Sequence, residues 1–171
     1  RVLIVDDHPI VRQGLKRMIE TEPDMEVCGE AATEAQARRA IRELMPDIVI
    51  VDWVMPIFDG IELTQMIRQL GANANPFVPI IMLTGHSEKK RIVAARDAGV
   101  TEFLAKPLSA RALYQRIVNV VANPRPFVRT KTYFGPDRRR NSNASYTGPE
   151  RRKGGQADII KQQSLYEKAG I

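Results

Sequence analysis

A chain of 171 residues with 43% hydrophobic content can bury the core of one domain of ordinary size and still leave an appendage. No apolar run approaches the ~20 residues that span a bilayer, no signal peptide precedes the first strand, and the single cysteine excludes an internal disulfide. The net charge of +6 is unevenly spread: residues 1–123 carry 15 Lys/Arg against 16 Asp/Glu, and residues 124–171 carry 11 against 4. A near-neutral body is thus followed by a strongly basic extension. The chain opens on Arg1 without an initiator Met, so a few leading residues are expected before it. Cys28, inside an apolar segment, reads as a small core residue in a reducing compartment, which fits a cytoplasmic location.

Val2 to Val5 reads as a strand buried on both faces and ending on Asp6-Asp7. Pro9 suits the first position of a helix, and Val11, Leu15 and Met18 follow at helical spacing. A short strand, Glu26-Val27-Cys28, comes next. Thr33 and Gln36 form the pattern of a capping box, opening a helix whose apolar face is Ala37, Ala40, Ile41 and Leu44. Ile48 to Val51 is an unbroken β-prone run that stops at Asp52, after which Pro56 and Asp59-Gly60 force a turn. Taken alone, Asp52 suits a reactive carboxylate at a strand end and a loop-capping one equally well. Leu63, Ile67 and Leu70 mark a third helix stopped by Gly71, and Val78 to Thr84 is a further apolar strand. Ser87 caps a helix over 88–97 that has little to bury beyond Ile92, Val93 and alanines. Thr101 to Ala105 is the fifth strand, followed by Lys106-Pro107. Ser109 caps a last helix with Leu113, Ile117, Val120 and Val121 facing inward. Five alternations of strand and helix predict an α/β fold with a doubly wound parallel sheet.

In such a sheet the carboxyl ends of all strands share one edge, so Asp6, Asp7, Asp52, Thr84 and Lys106 converge. Three carboxylates repel one another, and Lys106 alone does not balance them. A hard divalent cation with oxygen ligands does, and Mg²⁺ is the first candidate. With the charge balanced, Asp52 can attack a phosphoryl group while Lys106 and the Thr84 hydroxyl contact the transferred oxygens. There is no Gly-rich phosphate loop, so the donor need not be ATP.

Val5-Asp6-Asp7, the stretch Val51-Asp52-Trp53-Val54-Met55-Pro56, Met82-Leu83-Thr84-Gly85 and Phe103-Leu104-Ala105-Lys106-Pro107 occur in an order that resembles the receiver domain of bacterial two-component response regulators, CheY-like and flavodoxin-like in fold. The resemblance spans residues 1–123. It implies Asp52 as phosphoacceptor, Asp6, Asp7 and Asp52 with the Val54 carbonyl as Mg²⁺ ligands, and Thr84 as the switch hydroxyl. It implies further that Lys106 pairs with the phosphoryl group, that Phe103 is the aromatic switch, and that Lys106-Pro107 is cis. A histidine kinase or phosphotransfer protein would then be the donor, and the only chemistry would be self-phosphorylation and self-dephosphorylation. Val54 and His86 stand where the family tunes phosphate loss, and neither is an acid or carboxamide, so slow loss is expected. His86 reads equally as an ordinary loop residue. His8 suits helix entry better than Mg²⁺ ligation, and Trp53 suits packing. Glu88 to Arg91 fit an output surface and a solvated face alike.

Residues 124–155 form a basic arm with an internal repeat: Tyr133-Phe-Gly-Pro-Asp-Arg138-Arg139-Arg140 returns as Tyr146-Thr-Gly-Pro-Glu-Arg151-Arg152-Lys153. Each unit combines an aromatic, a turn and guanidinium donors. The arm loosely resembles arginine-rich tails of receiver-like proteins that bind cyclic di-GMP, which would make Tyr133, Tyr146, Arg138, Arg139, Arg151 and Arg152 ligand contacts. Two other readings carry equal weight. One is a disordered basic tail. The other is an arm that wraps a neighbouring receiver through Phe127, Tyr133, Phe134 and Tyr146. Nucleic-acid binding is the least favoured. Residues 156–171 are expected to hold a short helix, over 156–169, that docks on the receiver, a dimer mate or another downstream protein.

Overall fold

The computed structural model describes residues 1–56, 58–70, 74–85, 89–138 and 158–160, and of residues 89 and 90 the backbone alone. Five parallel strands form one sheet: β1 (Val2–Val5), β2 (Val27–Ala31), β3 (Ile48–Asp52), β4 (Ile80–Thr84) and β5 (Glu102–Ala105), in the order β2-β1-β3-β4-β5. The helices are α1 (Pro9–Glu20), α2 (Glu34–Leu44), α3 (Gly60–Arg68), α4 (Lys89–Ala98) and α5 (Ala110–Ala122).

The unbroken apolar strands are explained by the two cores they feed. Leu3, Val5, Val49, Val51, Ile80 and Met82 pack with Ala37, Ile41, Leu63, Ile67 and Ala95 of α2, α3 and α4. Val2, Ile4, Ile48, Ile50, Ile81 and Leu83 point the other way, onto Leu15 and Ile19 of α1 and Leu113 and Ile117 of α5. Alternation at period two therefore serves two apolar faces instead of one.

The caps mostly follow the sequence. Thr33 accepts from the Gln36 N–H, but the Gln36 side chain reaches back to Ala32 and not to Thr33, so the capping box is only half closed. The complete box sits at Asp59, whose side chain accepts from the Glu62 N–H while Glu62 accepts from the Asp59 N–H. Ser109 caps α5 through the Ala112 N–H. Val121, expected inside, is 63% exposed. Leu113, Ile117 and Val120 already fill the stripe, and the next position has rotated past it. Cys28 is half-buried, with its thiol near the Val2 carbonyl. Gly71 and Ser87 lie outside the described residues.

A second, antiparallel sheet follows α5, in the order β7-β6-β8: β6 (Phe127–Arg129), β7 (Phe134–Pro136) and β8 (Asp158–Ile160). β8 corrects the expectation of a helix across these positions. Its two adjacent isoleucines are β-branched, and Phe127↔Ile160, Val128↔Ile159 and Arg129↔Asp158 give its backbone a ladder that no local pattern reveals. The remainder of 156–171 lies outside the described residues.

β6 and β7 pack on their own receiver, which corrects the idea that these aromatics hold a neighbour. Phe127 is buried and forms a cluster with Phe77 (5.1 Å) and Phe134 (5.5 Å), and Phe77 also meets Phe134 at 5.1 Å. Beneath the cluster lies Arg68, at the end of α3 and 6% exposed. It donates four hydrogen bonds, to the carbonyls of Gly99 (3.1 and 2.9 Å), Pro76 (2.6 Å) and Val78 (2.8 Å). Its guanidinium also lies 5.1 Å from the centre of the Phe127 ring. Burial lowers the Arg68 pKa to about 9, which leaves it a cation at neutral pH.

Candidate functional site

The carboxyl ends of β1, β3 and β5 bring together the acids and the lysine. Asp6 is fully buried; its Oδ1 accepts the His8 N–H at 2.8 Å, and its Oδ2 is 3.6 Å from Lys106 Nζ. Asp52, at the end of β3, is also buried, and its Oδ1 accepts the Trp53 N–H at 2.9 Å and lies 2.8 Å from Lys106 Nζ. Asp7 is half-buried, with Oδ1 3.0 Å from His8 Nδ1. Burial pushes the Asp52 carboxyl above its ordinary pKa and nearby Asp6 adds to this, while Lys106 pulls it back.

Backbone geometry holds this edge in place. The Lys106 N–H bonds to the Thr84 carbonyl (2.8 Å), and the Trp53 N–H to that of Leu83 (3.0 Å). Lys106-Pro107 is cis, as the resemblance implied. Thr84 is buried at the end of β4, next to β5, and Phe103 is half-buried on β5 with its ring 6.4 Å from that of Trp53. Trp53 itself is buried, in keeping with a packing role. Val54 is exposed in the loop after β3. Gly60 starts α3 hard against this strand end: a Cβ there would sit 2.5 Å from the Asp52 carbonyl oxygen.

Arg12 is a feature of the site that sequence reading did not single out. From α1 it donates to the Asp6 main-chain carbonyl at 2.7 Å, and its Nε pairs with Glu30 at 3.3 Å. Its place one turn into α1, just after the acid pair, was the available signal.

The donor set suits a hard cation. Ligand atoms of Asp6, Asp7, His8 and Asp52 lie within 4.8 Å of one another. Asp6 Oδ2 and Asp7 Oδ1 are buried and accept no well-formed hydrogen bond, having only the charge contacts to Lys106 (3.6 Å) and His8 (3.0 Å). An oxygen-seeking divalent ion would satisfy them better.

This arrangement of sheet and acids is matched by relatives. Residues 2–118 match the family model for the response regulator receiver domain. The chain belongs to that family. Its receiver is 38% identical over 111 residues to the response regulator protein VraR of Staphylococcus aureus, covering 65% of this chain and 51% of that one. The chain thus spans about half the length of the curated relatives it matches. A LuxR-family two-component response regulator from Aurantimonas sp. SI85-9A1 is similar in structure, with TM-score 0.64 and 38% identity over 71% of this chain and 84% of that one. The response regulator domain of Thermotoga maritima CheB gives TM-score 0.56 and 32% identity over 71% and 89%. Among the described residues, no helix is long and apolar enough to cross a membrane.

The receiver match ends before the arm. Of the six tail positions, Tyr133 and Arg138 are described, and both are engaged within the chain. Tyr133 Oη donates to the Pro136 carbonyl (2.7 Å), and its ring carries the Arg138 guanidinium at 4.2 Å. Arg138 also meets Asp97 of α4 at 3.2 Å. His86, Arg139, Tyr146, Arg151 and Arg152 lie outside the described residues.

Proposed function

We propose that this protein is a phosphorylation-switched signalling protein in which Asp52 accepts a phosphoryl group from a histidine kinase or phosphotransfer protein. The observation that carries this reading is the buried Asp52 carboxylate, 2.8 Å from Lys106 and beside two buried acid oxygens that accept no hydrogen bond. Asp52 Oδ attacks the phosphorus of a phosphohistidine; an O–P bond forms as the P–N bond breaks, and that electron pair returns to the donor imidazole. Lys106 meets the charge on the transferred oxygens, and Thr84 offers its hydroxyl to one of them. Asp6, Asp7 and Asp52, with the Val54 carbonyl, would hold Mg²⁺. Bound there, the ion offsets the repulsion between carboxylate and phosphoryl oxygens. Output runs through protein contacts. A cyclic di-GMP role is not favoured, because Tyr133 and Arg138 already serve the fold.

Labelling with acetyl phosphate tests the reading. The label should map to the peptide bearing Asp52 and require Mg²⁺, and label at another residue or equal label in excess chelator would refute it.

Arg12 should govern metal affinity without touching the metal, because it fixes the peptide between the two acids. Arg12→Ala is expected to weaken Mg²⁺ binding about tenfold, the usual range for groups that orient ligands. A titration followed by Trp53 fluorescence measures this, and an unchanged affinity would remove the role.

A further inference from the structure

We propose that the docked arm senses the state of Asp52, with α4 as the connection, and that loading Asp52 releases the arm. This rests on Asp52 being the acceptor.

The two ends of α4 touch the two regions concerned. At one end, Arg91 lies over the Trp53 ring at 6.0 Å, and the Trp53 N–H donates to Asp52. At the other end, Asp97 meets Arg138, and Gly99, just past the helix, meets the arm. Between them α4 is thinly anchored: of its described side chains only Ala95 and Ala98 are buried. A helix held by so little apolar surface can change position at small cost.

The contact at the arm end tolerates little movement. A Cβ on Gly135 would lie 2.9 Å from Gly99 Cα and 2.6 Å from Tyr133 Oη, so the strand, the α4–β5 turn and the tyrosine meet with no spare room. Arg125 ties the same segment down by donating to the Thr101 and Asp137 carbonyls. The first Tyr-Phe-Gly-Pro-Asp-Arg unit is therefore shaped to one position of α4. A shift of α4 that carries Asp97 away loses the Arg138–Asp97 pair, which gives the two positions of α4 different affinities for the arm. Phosphorylation that favours the other position must loosen the arm, and by linkage a loosened arm must favour the loaded site.

The test uses the full chain with Mg²⁺ and beryllium trifluoride, a stable stand-in for the aspartyl phosphoryl group. Amide hydrogen exchange across residues 127–136 should quicken on the order of tenfold on loading, within the usual range of coupling between sites. Asp52→Asn should show no change. Gly135→Val and Arg138→Ala, both remote from Asp52, should tighten beryllium trifluoride binding about fivefold by the same linkage. Loading seen by Trp53 fluorescence with unaltered arm exchange would overturn the coupling and leave the acceptor assignment standing. Failure of Asp52 to load would overturn both.

Discussion

Replacing Arg68 with alanine should lower the unfolding free energy by about 4 kcal/mol, the scale of removing one partner from a buried charged network. The arginine gathers three carbonyls from two separate connections, Pro76 and Val78 before β4 and Gly99 before β5. Without it, these acceptors face a cavity beneath Phe127 and not water, and each unmet one costs about 1–3 kcal/mol, less than additively. The stacking on Phe127 is lost as well. Arg68→Lys should recover roughly half, since an ammonium can serve one or two of the carbonyls but has no planar fork. In heat the alanine variant should melt roughly 10 °C lower, given the scaling for chains of this size. Urea unfolding followed by Trp53 fluorescence measures the difference. A loss below about 1 kcal/mol would mean that water replaces the guanidinium without penalty.

Arg68 also shows where sequence reading stops. In the string of residues it is one more cation in the last turn of a helix, the position where the dipole favours it. Its burial follows from two loops and an arm closing over it, and none of these is local to α3. β1, β3 and β4 were legible for the opposite reason: both faces of the sheet are covered there, so each declares itself as an apolar run. The edge strand β2, read as Glu26 to Cys28, instead runs from Val27 to Ala31 through Gly29 and Glu30. Asp6, Asp7, Asp52 and Lys106 were placed by strand ends and topology, and the structure brings them within reach of one another. In the arm, the arginines dominate the composition and hide two aromatics, Phe127 and Phe134, that pack with Phe77 of the receiver as a core would. Phe127 and Phe134 announce no element of their own, because three-residue strands carry too few positions for a period, and their pairing is set by the receiver beneath them.

Asp52→Asn should abolish labelling by acetyl phosphate, by more than about a hundredfold, while leaving the fold as stable as before or more so. The two effects separate chemistry from architecture. An amide oxygen is a poor nucleophile and cannot balance the cation, so the acceptor is gone. For the fold, the native carboxylate is a burden: it is buried, and its charge faces Asp6 as well as Lys106. Asparagine keeps the volume and can still accept the Trp53 N–H, and it relieves the repulsion. Lys106 retains Asp6 at 3.6 Å, so no cation is stranded. Paired labelling and urea titrations read both quantities on one preparation. Residual labelling near the wild-type level would move the acceptor elsewhere. A loss of several kcal/mol would make Asp52 a structural partner of Lys106, with the acids at this edge serving the fold and not phosphoryl transfer.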